Sequence, residues 1–389
     1  MPTAMCYAYY DREWYAFSPV LEELQRRGWE TFCAVRYEHG QKAISHYLRP
    51  SSTDHRVSRV TPRMATAMYA HIQEFGNDGP VFDDLLNSNR PDVFFTFNDD
   101  QMDWHYTINV ARAWHVPTVI VAAGWDSMCT GKGHPLASAI CALGPSWEQM
   151  AQVLEVAESQ RQRWHVTGCA SRQAERLAHD GGPETVLSDE RKPILFAEQH
   201  DYPANREGRV AVAELLCALA EEFPERMVID RPHGFEADWQ PELALRPILD
   251  ESDTTLGRPV TPINLVRSLR SQSVHDAIRQ AWRVVTLVSC TAIDAGILGV
   301  PVVQAGWLQD PISPESGEDT WRQYQPFSFD GSVPTAKDIS EMVTMVKKGQ
   351  ITSRLANHHC GGNVPDPASA ICDVLSDVAE ELGGHIAPP

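Results

Sequence analysis

Residues 283–307 read RVVTLVSCTAIDAGILGVPVVQAGW. An apolar strand runs into Ser289, Cys290 and Thr291, and a helix carrying Asp294 follows at once. Hydroxyls beside the N–H groups of a helix start suit an anion such as a diphosphate and need few cations. A plain capping role accounts for Ser289 or Thr291 equally well. Two further strand ends add groups that bind phosphate. MVID leads into Arg231-Pro232-His233-Gly234, and ILFAEQ leads into His200 and Asp201. A guanidinium offers a planar fork to phosphate oxygens and an imidazole adds one more donor. Each of these histidines also fits an ordinary solvated loop.

Proton removal needs a carboxylate or imidazole at a strand end. Asp11 and Glu13 follow TAMCYAYY, Asp99, Asp100 and Asp103 follow DVFFTFN, and Asp126 follows TVIVAAGW. Asp99 and Asp100 also stand where a helix begins, a position that favours acids for electrostatic reasons alone. Asp99, Asp100 and Asp103 resemble a carboxylate set for a divalent cation. His358-His359-Cys360 has no second ligand pair at zinc spacing. The expectation is no bound metal.

The elements that must hold these residues alternate short buried strands with amphipathic helices, the pattern of an α/β protein with parallel sheets. Strands are expected at 3–10, 29–37, about 93–98, 116–125 and 138–146, with a short strand and turn in 163–171. A second series has a strand and loop in 192–201, a strand and loop in 225–234, and strands at 283–289 and 300–307. In the first series a helix is expected from Pro19, capped by Ser18 after a loop over 11–17. Further helices are expected over 65–75 and 172–182. Residues 250–264 read as loop. The polar stretch 180–192 divides the two series. The expected domains are 1–182, on the acceptor side, and 183–365, on the donor side, with a C-terminal helix and tail at 366–389. Such sheets bind ligands beyond the carboxyl ends of their strands, and two of them facing each other would leave a cleft between.

The 389 residues carry a formal charge of −19, which argues against partners that are long polyanions. No apolar run is long enough to span a membrane. The opening residues lack a basic stretch followed by an apolar one. Nine scattered cysteines without a CxxC pair read as reduced thiols. Together these give an expected cytoplasmic location. No Walker loop, Gly-x-Gly-x-x-Gly turn or Gly-x-Ser-x-Gly elbow is present, against NTPase, dehydrogenase and hydrolase readings.

With Asp294, Gly299-Val300-Pro301 and Val302-Val303, the Ser289-Cys290-Thr291 turn resembles the nucleotide-sugar half of GT-B glycosyltransferases. Arg231-Pro232-His233-Gly234 resembles the Arg/Lys-x-His-Pro loop of capsule-polysaccharide and polyglycerophosphate transferases, with Gly234 in the proline's place. Glu198 to Arg206 resembles a loop of the UDP-N-acetylglucosamine 2-epimerases, relatives on the same fold. Ala122 stands where those epimerases have a glutamate, and Ser289-Cys290-Thr291 where they have Ser-Gly-Gly. The resemblance implies a GT-B-like fold of two Rossmann-like domains facing across a cleft. It implies transfer of a sugar or sugar-like group from a nucleotide-activated donor to an acceptor hydroxyl, with no cofactor. His200, Arg231, His233, Ser289, Cys290, Thr291 and Asp294 would bind the donor, and Asp100, Asp99 or Asp11 would be the base. The alternatives are a 2-epimerase-like isomerase or a non-catalytic nucleotide-sugar-binding protein. A DNA acceptor stays open but is disfavoured by the charge.

Overall fold

The computed structural model describes residues 1–8, 11–35, 86–87, 90–97, 102–122, 136–153, 156–172, 188–197, 206–231, 264–267, 274–287, 289–308, 331–350, 358–361 and 364–383. The helices expected over 65–75 and, beyond its first residue, 172–182 lie outside them.

Two compact units are present. Met1–Arg176 joins Asn357–Pro389 in one, and Leu177–Ala356 forms the other. The first unit holds β1 (Thr3–Ala8), α1 (Asp11–Arg26), β2 (Glu30–Val35), β3 (Val93–Thr96), α2 (Met102–Ala113), β4 (Thr118–Val121), β5 (Ala139–Ala142), α3 (Ser146–Val153), α4 (Glu158–Arg161) and β6 (Trp164–Val166). The second holds β7 (Ile194–Ala197), α5 (Arg206–Glu222), β8 (Val228–Arg231), β9 (Leu265–Arg267), α6 (Val274–Gln280), β10 (Arg283–Thr286), α7 (Thr291–Ile297), β11 (Val302–Ala305), β12 (Thr335–Ala336) and α8 (Ile339–Lys348). The last helix, α9 (Pro367–Gly383), belongs to the first unit.

Each unit is built on a six-stranded sheet, ordered β2-β1-β3-β4-β5-β6 in the first and β12-β11-β10-β7-β8-β9 in the second. Every neighbouring pair is parallel. The sequence explains this directly. β1, β3, β4, β5, β7 and β11 are buried at every residue rather than at alternate ones, as strands covered on both faces must be. The covering helices show the matching period. Val212, Leu215, Leu216, Leu219 and Phe223 recur at helical spacing along α5 and its end, and pack into one core with Phe196, Val285 and Val303. In α1, Phe17, Val20, Leu21 and Leu24 do the same, and the Phe17 ring meets Phe95 of β3 edge-on at 5.3 Å.

Three local features differ from the sequence expectation. Helix α1 begins at Asp11, so Ser18 and Pro19 lie inside it rather than at its start. Proline there withholds one i→i−4 hydrogen bond, but Ala16 and Phe17 reach the core only if the helix has already formed. Strands β9 and β12 were not anticipated. At three and two residues they are too short to show a period, and neighbouring strands define them.

Helix ends follow the chain's own signals. Asp338 caps α8 by accepting the Glu341 N–H at 2.8 Å, and Glu341 returns the favour to the Lys337 N–H at 2.8 Å, a reciprocal box. Gly349, at φ +61°, closes that helix in the left-handed conformation.

Helix α9 packs on α1, β3 and β5. Arg27 fastens it. Its guanidinium donates to Asp373 at 2.7 Å and to the Ser369 hydroxyl at 2.7 Å, while its Nε donates to Glu23 at 2.8 Å. Arg26, and then Arg27 against the cost of burial, hold the Glu23 carboxyl at about 2. A depressed carboxyl stabilises the fold above its ordinary value of 4.5 and loses that contribution as pH falls from 4.5 toward 2. Arg26 is exposed, so screening limits the effect to about 1 kcal/mol. Urea unfolding at pH 7 and pH 3 should therefore differ more for the native chain than for Glu23→Gln. Equal differences would contradict the assignment.

Candidate functional site

In a doubly wound sheet the ligand crevice opens where successive connections leave in opposite directions. In the second sheet that point lies between β7 and β10: the chain runs from β7 to β8 and β9 on one side, then returns to β10 on the other. In the first sheet it lies between β1 and β3. Both junctions carry the same device. Thr286 ends β10 and donates its hydroxyl to the Ala197 carbonyl at 3.4 Å. Thr96 ends β3 and donates to the Tyr7 carbonyl at 3.1 Å. Both threonines are fully buried. Each hydroxyl ties together two strands whose connections then part. The sequence signal was visible in hindsight: both return strands end in Thr after two apolar residues, VFFT and RVVT.

At the carboxyl edge of the second sheet, Arg231, Ala197, Thr286 and Gln304 stand in one lateral register across β8, β7, β10 and β11. Adjacent strands lie about 4.8 Å apart, so Arg231 starts roughly 10 Å from Thr286, a gap that its long side chain can largely span. The chain beyond Thr286 reaches Ser289 after three residues. Ser289 accepts the Thr291 N–H at 3.2 Å and donates its own hydroxyl to Thr291 Oγ1 at 2.9 Å. The N–H groups of Ala292, Ile293 and Asp294 bond back to the Ser289 and Cys290 carbonyls at 2.9–3.1 Å. The turn thus uses its backbone donors internally, which differs from the open N–H cradle that the sequence suggests. What it can still present to a ligand is the Thr291 hydroxyl. Gly299, at φ +70°, stops α7, and the Pro301 carbonyl accepts the Val284 N–H as β11 begins.

Asp294 is buried, and its Oδ2 lies 3.5 Å from Nε2 of His275 on α6. The sequence reading did not single out His275, because its place depends on how α6 packs against α7.

The structure therefore brings Arg231, Ser289, Cys290, Thr291 and Asp294 to one edge of one sheet. His200 and His233 lie outside the described residues, as do Asp99 and Asp100. Asp11 opens α1 three residues after β1 ends, at the carboxyl edge of the first sheet. Among the described residues no three His, Cys, Asp or Glu side chains converge as a metal site would require, and no helix is long and apolar enough to cross a membrane.

Residues 145–306 match the model of a family described as "Putative glycosyltransferase (DUF6716)". No curated protein matches the sequence. Among solved structures, the UDP-GlcNAc 2-epimerase from Neisseria meningitidis bound to UDP-GlcNAc superposes with a TM-score of 0.63 at 12% identity. The alignment covers 97% of this chain and 100% of that one. The S. aureus MnaA–UDP co-structure gives 0.63 at 13% identity over 100% and 99% of the two chains. MurG of Acinetobacter baumannii gives 0.52 at 11% identity over 97% and 100%. The fold is GT-B-like. The two parallel six-stranded sheets, each with its switch point, are the parts of that fold described above, and the GT-B resemblance seen in residues 193–236 and 274–307 agrees with it. Identities this low establish the fold and leave the reaction to the site itself.

Proposed function

We propose that the chain is a glycosyltransferase that moves a sugar or sugar-like group from a nucleotide-activated donor to an acceptor hydroxyl. The observation that carries this reading is the carboxyl edge of the second sheet. There Arg231 ends β8 and Thr291 opens α7, both at the carboxyl edge that holds the switch point, within the segment that matches the glycosyltransferase family model.

In the proposed reaction the acceptor oxygen bonds to the anomeric carbon of the sugar while the bond from that carbon to the diphosphate oxygen breaks. The acceptor proton passes to a carboxylate, with Asp100, Asp99 or Asp11 in that role. The negative charge moves onto the departing nucleoside diphosphate. Arg231, His233 and His200, with the hydroxyls of Ser289 and Thr291, would stabilise it there. Cys290 and Asp294 would shape the same turn. This scheme assigns the charge on the leaving group to side chains alone, so a chelator should leave turnover unchanged.

A 2-epimerase-like isomerase is the second reading. It is suggested by the UDP-GlcNAc 2-epimerase among the structures that share the fold. Ala122 in the epimerase glutamate position argues the other way. One assay separates the readings. Sugar nucleotides, UDP-sugars first, are incubated with and without a panel of hydroxyl acceptors, and both free nucleotide and isomerised donor are measured. Nucleotide release that needs an acceptor supports transfer. Isomerised donor without an acceptor supports the epimerase reading. Binding without either product would make the chain a non-catalytic nucleotide-sugar-binding protein.

A further inference from the structure

We infer that His275 is a positioning residue for the donor site, acting through Asp294. This rests on the donor reading of the second sheet's carboxyl edge. In an all-parallel sheet each helix that follows a strand starts at that edge, so the first turns of α6, after β9, and α7, after β10, share the ligand end. His275 is the second residue of α6 and Asp294 lies in the first turn of α7.

Their side chains meet at 3.5 Å, with 17% and 7% of their surfaces exposed. A carboxylate that far from water needs a compensating donor. Arg279, also on α6, pairs with Asp276 of its own helix, and His275 reaches Asp294. The carboxylate in turn favours a proton on Nε2, the ring nitrogen that faces it.

Asp294 also follows Thr291 by three residues, a spacing that puts both on one face of α7. The Thr291 Oγ1 accepts the Ser289 hydroxyl at 2.9 Å, which leaves its own O–H able to donate. His275 thus bears on Asp294, which stands one helical turn after Thr291 on the same face of α7. Holding Asp294 in one rotamer holds that turn in the conformation that meets the donor. By analogy with the outer partners of metal ligands, whose loss typically costs about 10–100-fold in metal affinity or activity, losing this contact should weaken donor binding.

The test is calorimetric titration of UDP, GDP, CDP and ADP into the native chain, His275→Ala, His275→Gln, Asp294→Asn, the double variant His275→Ala/Asp294→Asn and Arg231→Ala, each held well below its melting temperature. Glutamine can place an amide N–H where Nε2 stands. The expected result is binding about tenfold weaker for His275→Ala, within about threefold of native for His275→Gln, and no further loss when Asp294→Asn is added to His275→Ala. A residue that serves stability alone would lower the melting temperature and leave affinity in place. If His275→Ala does not fold, His275→Gln and Asp294→Asn carry the comparison: near-native affinity in the first with loss in the second supports the inference.

Native-like binding by His275→Ala together with weakened binding by Arg231→Ala would overturn the inference and leave the donor reading standing. Equal loss in His275→Ala and His275→Gln would overturn the Nε2 contact as its basis. No binding of any nucleoside diphosphate to the native chain would overturn the donor reading and this inference with it.

Discussion

Replacing Gly361 with alanine is expected to cost about 3 kcal/mol or more of stability. Two terms add. Gly361 sits at φ +59°, where an L side chain costs about 1–2 kcal/mol. A Cβ there would also lie 2.8 Å from the Gly168 Cα, 2.9 Å from the Leu143 carbonyl oxygen and 3.0 Å from the Gly168 nitrogen. All three neighbours are backbone, so no rotamer change relieves the contact. Gly144→Ala should behave similarly, because its Cβ would stand 2.5 Å from the His358 carbonyl oxygen. The return segment 358–361 therefore crosses the ends of β5 and β6 at a spacing that only glycines permit, and α9 follows from it. Gly299→Ala is the internal control. It shares a positive φ, +70°, but has open space around its Cβ, so only the conformational term applies. Chemical denaturation of the three variants checks the ranking. Equal losses at Gly361 and Gly299 would contradict the close crossing.

Loss of donor affinity in Arg231→Ala and Thr291→Val is the second large effect. A hydrogen bond to a charged group contributes about 1.5–3 kcal/mol, so each variant should bind a nucleoside diphosphate roughly 10–100-fold more weakly. Conservative changes sharpen the test. Thr291→Ser keeps the hydroxyl and should stay close to native. Arg231→Lys keeps the charge but loses the planar fork, and should fall between native and alanine. Isothermal titration gives the affinities and thermal melting shows whether each variant is folded. Native affinity in Thr291→Val would remove the hydroxyl from the account, and native affinity in Arg231→Ala would remove the cation.

Much of this arrangement is legible in the residues. The strands at 194–197, 283–286 and 302–305 are short and mostly apolar, and apart from Arg283 every residue in them is buried, so a strand covered on both faces is the natural reading. The turn at 289–291 is readable because polar side chains interrupt an apolar run at the point where the period changes from strand to helix. Other features depend on partners distant in sequence. Ser18-Pro19 reads as a helix start, yet packing of Phe17 on Phe95 extends the helix back to Asp11. The seating of α9 on α1 rests on Arg27 reaching Ser369 and Asp373, more than 340 positions away. The N–H groups of 292–294 look open in sequence and are consumed by the turn itself. His275 has no local signal, since only the packing of α6 on α7 brings it to Asp294.

The central claim is that the carboxyl edge of the second sheet holds the donor's diphosphate. Hydrogen–deuterium exchange of the full chain, with and without saturating nucleoside diphosphate, tests it most directly. The account predicts slower exchange in peptides covering 287–297 and the end of β8 at 228–231, with β1 and β3 of the first sheet unchanged. Protection confined to the first sheet's switch point, or bound nucleotide that leaves 287–297 unprotected, would contradict it.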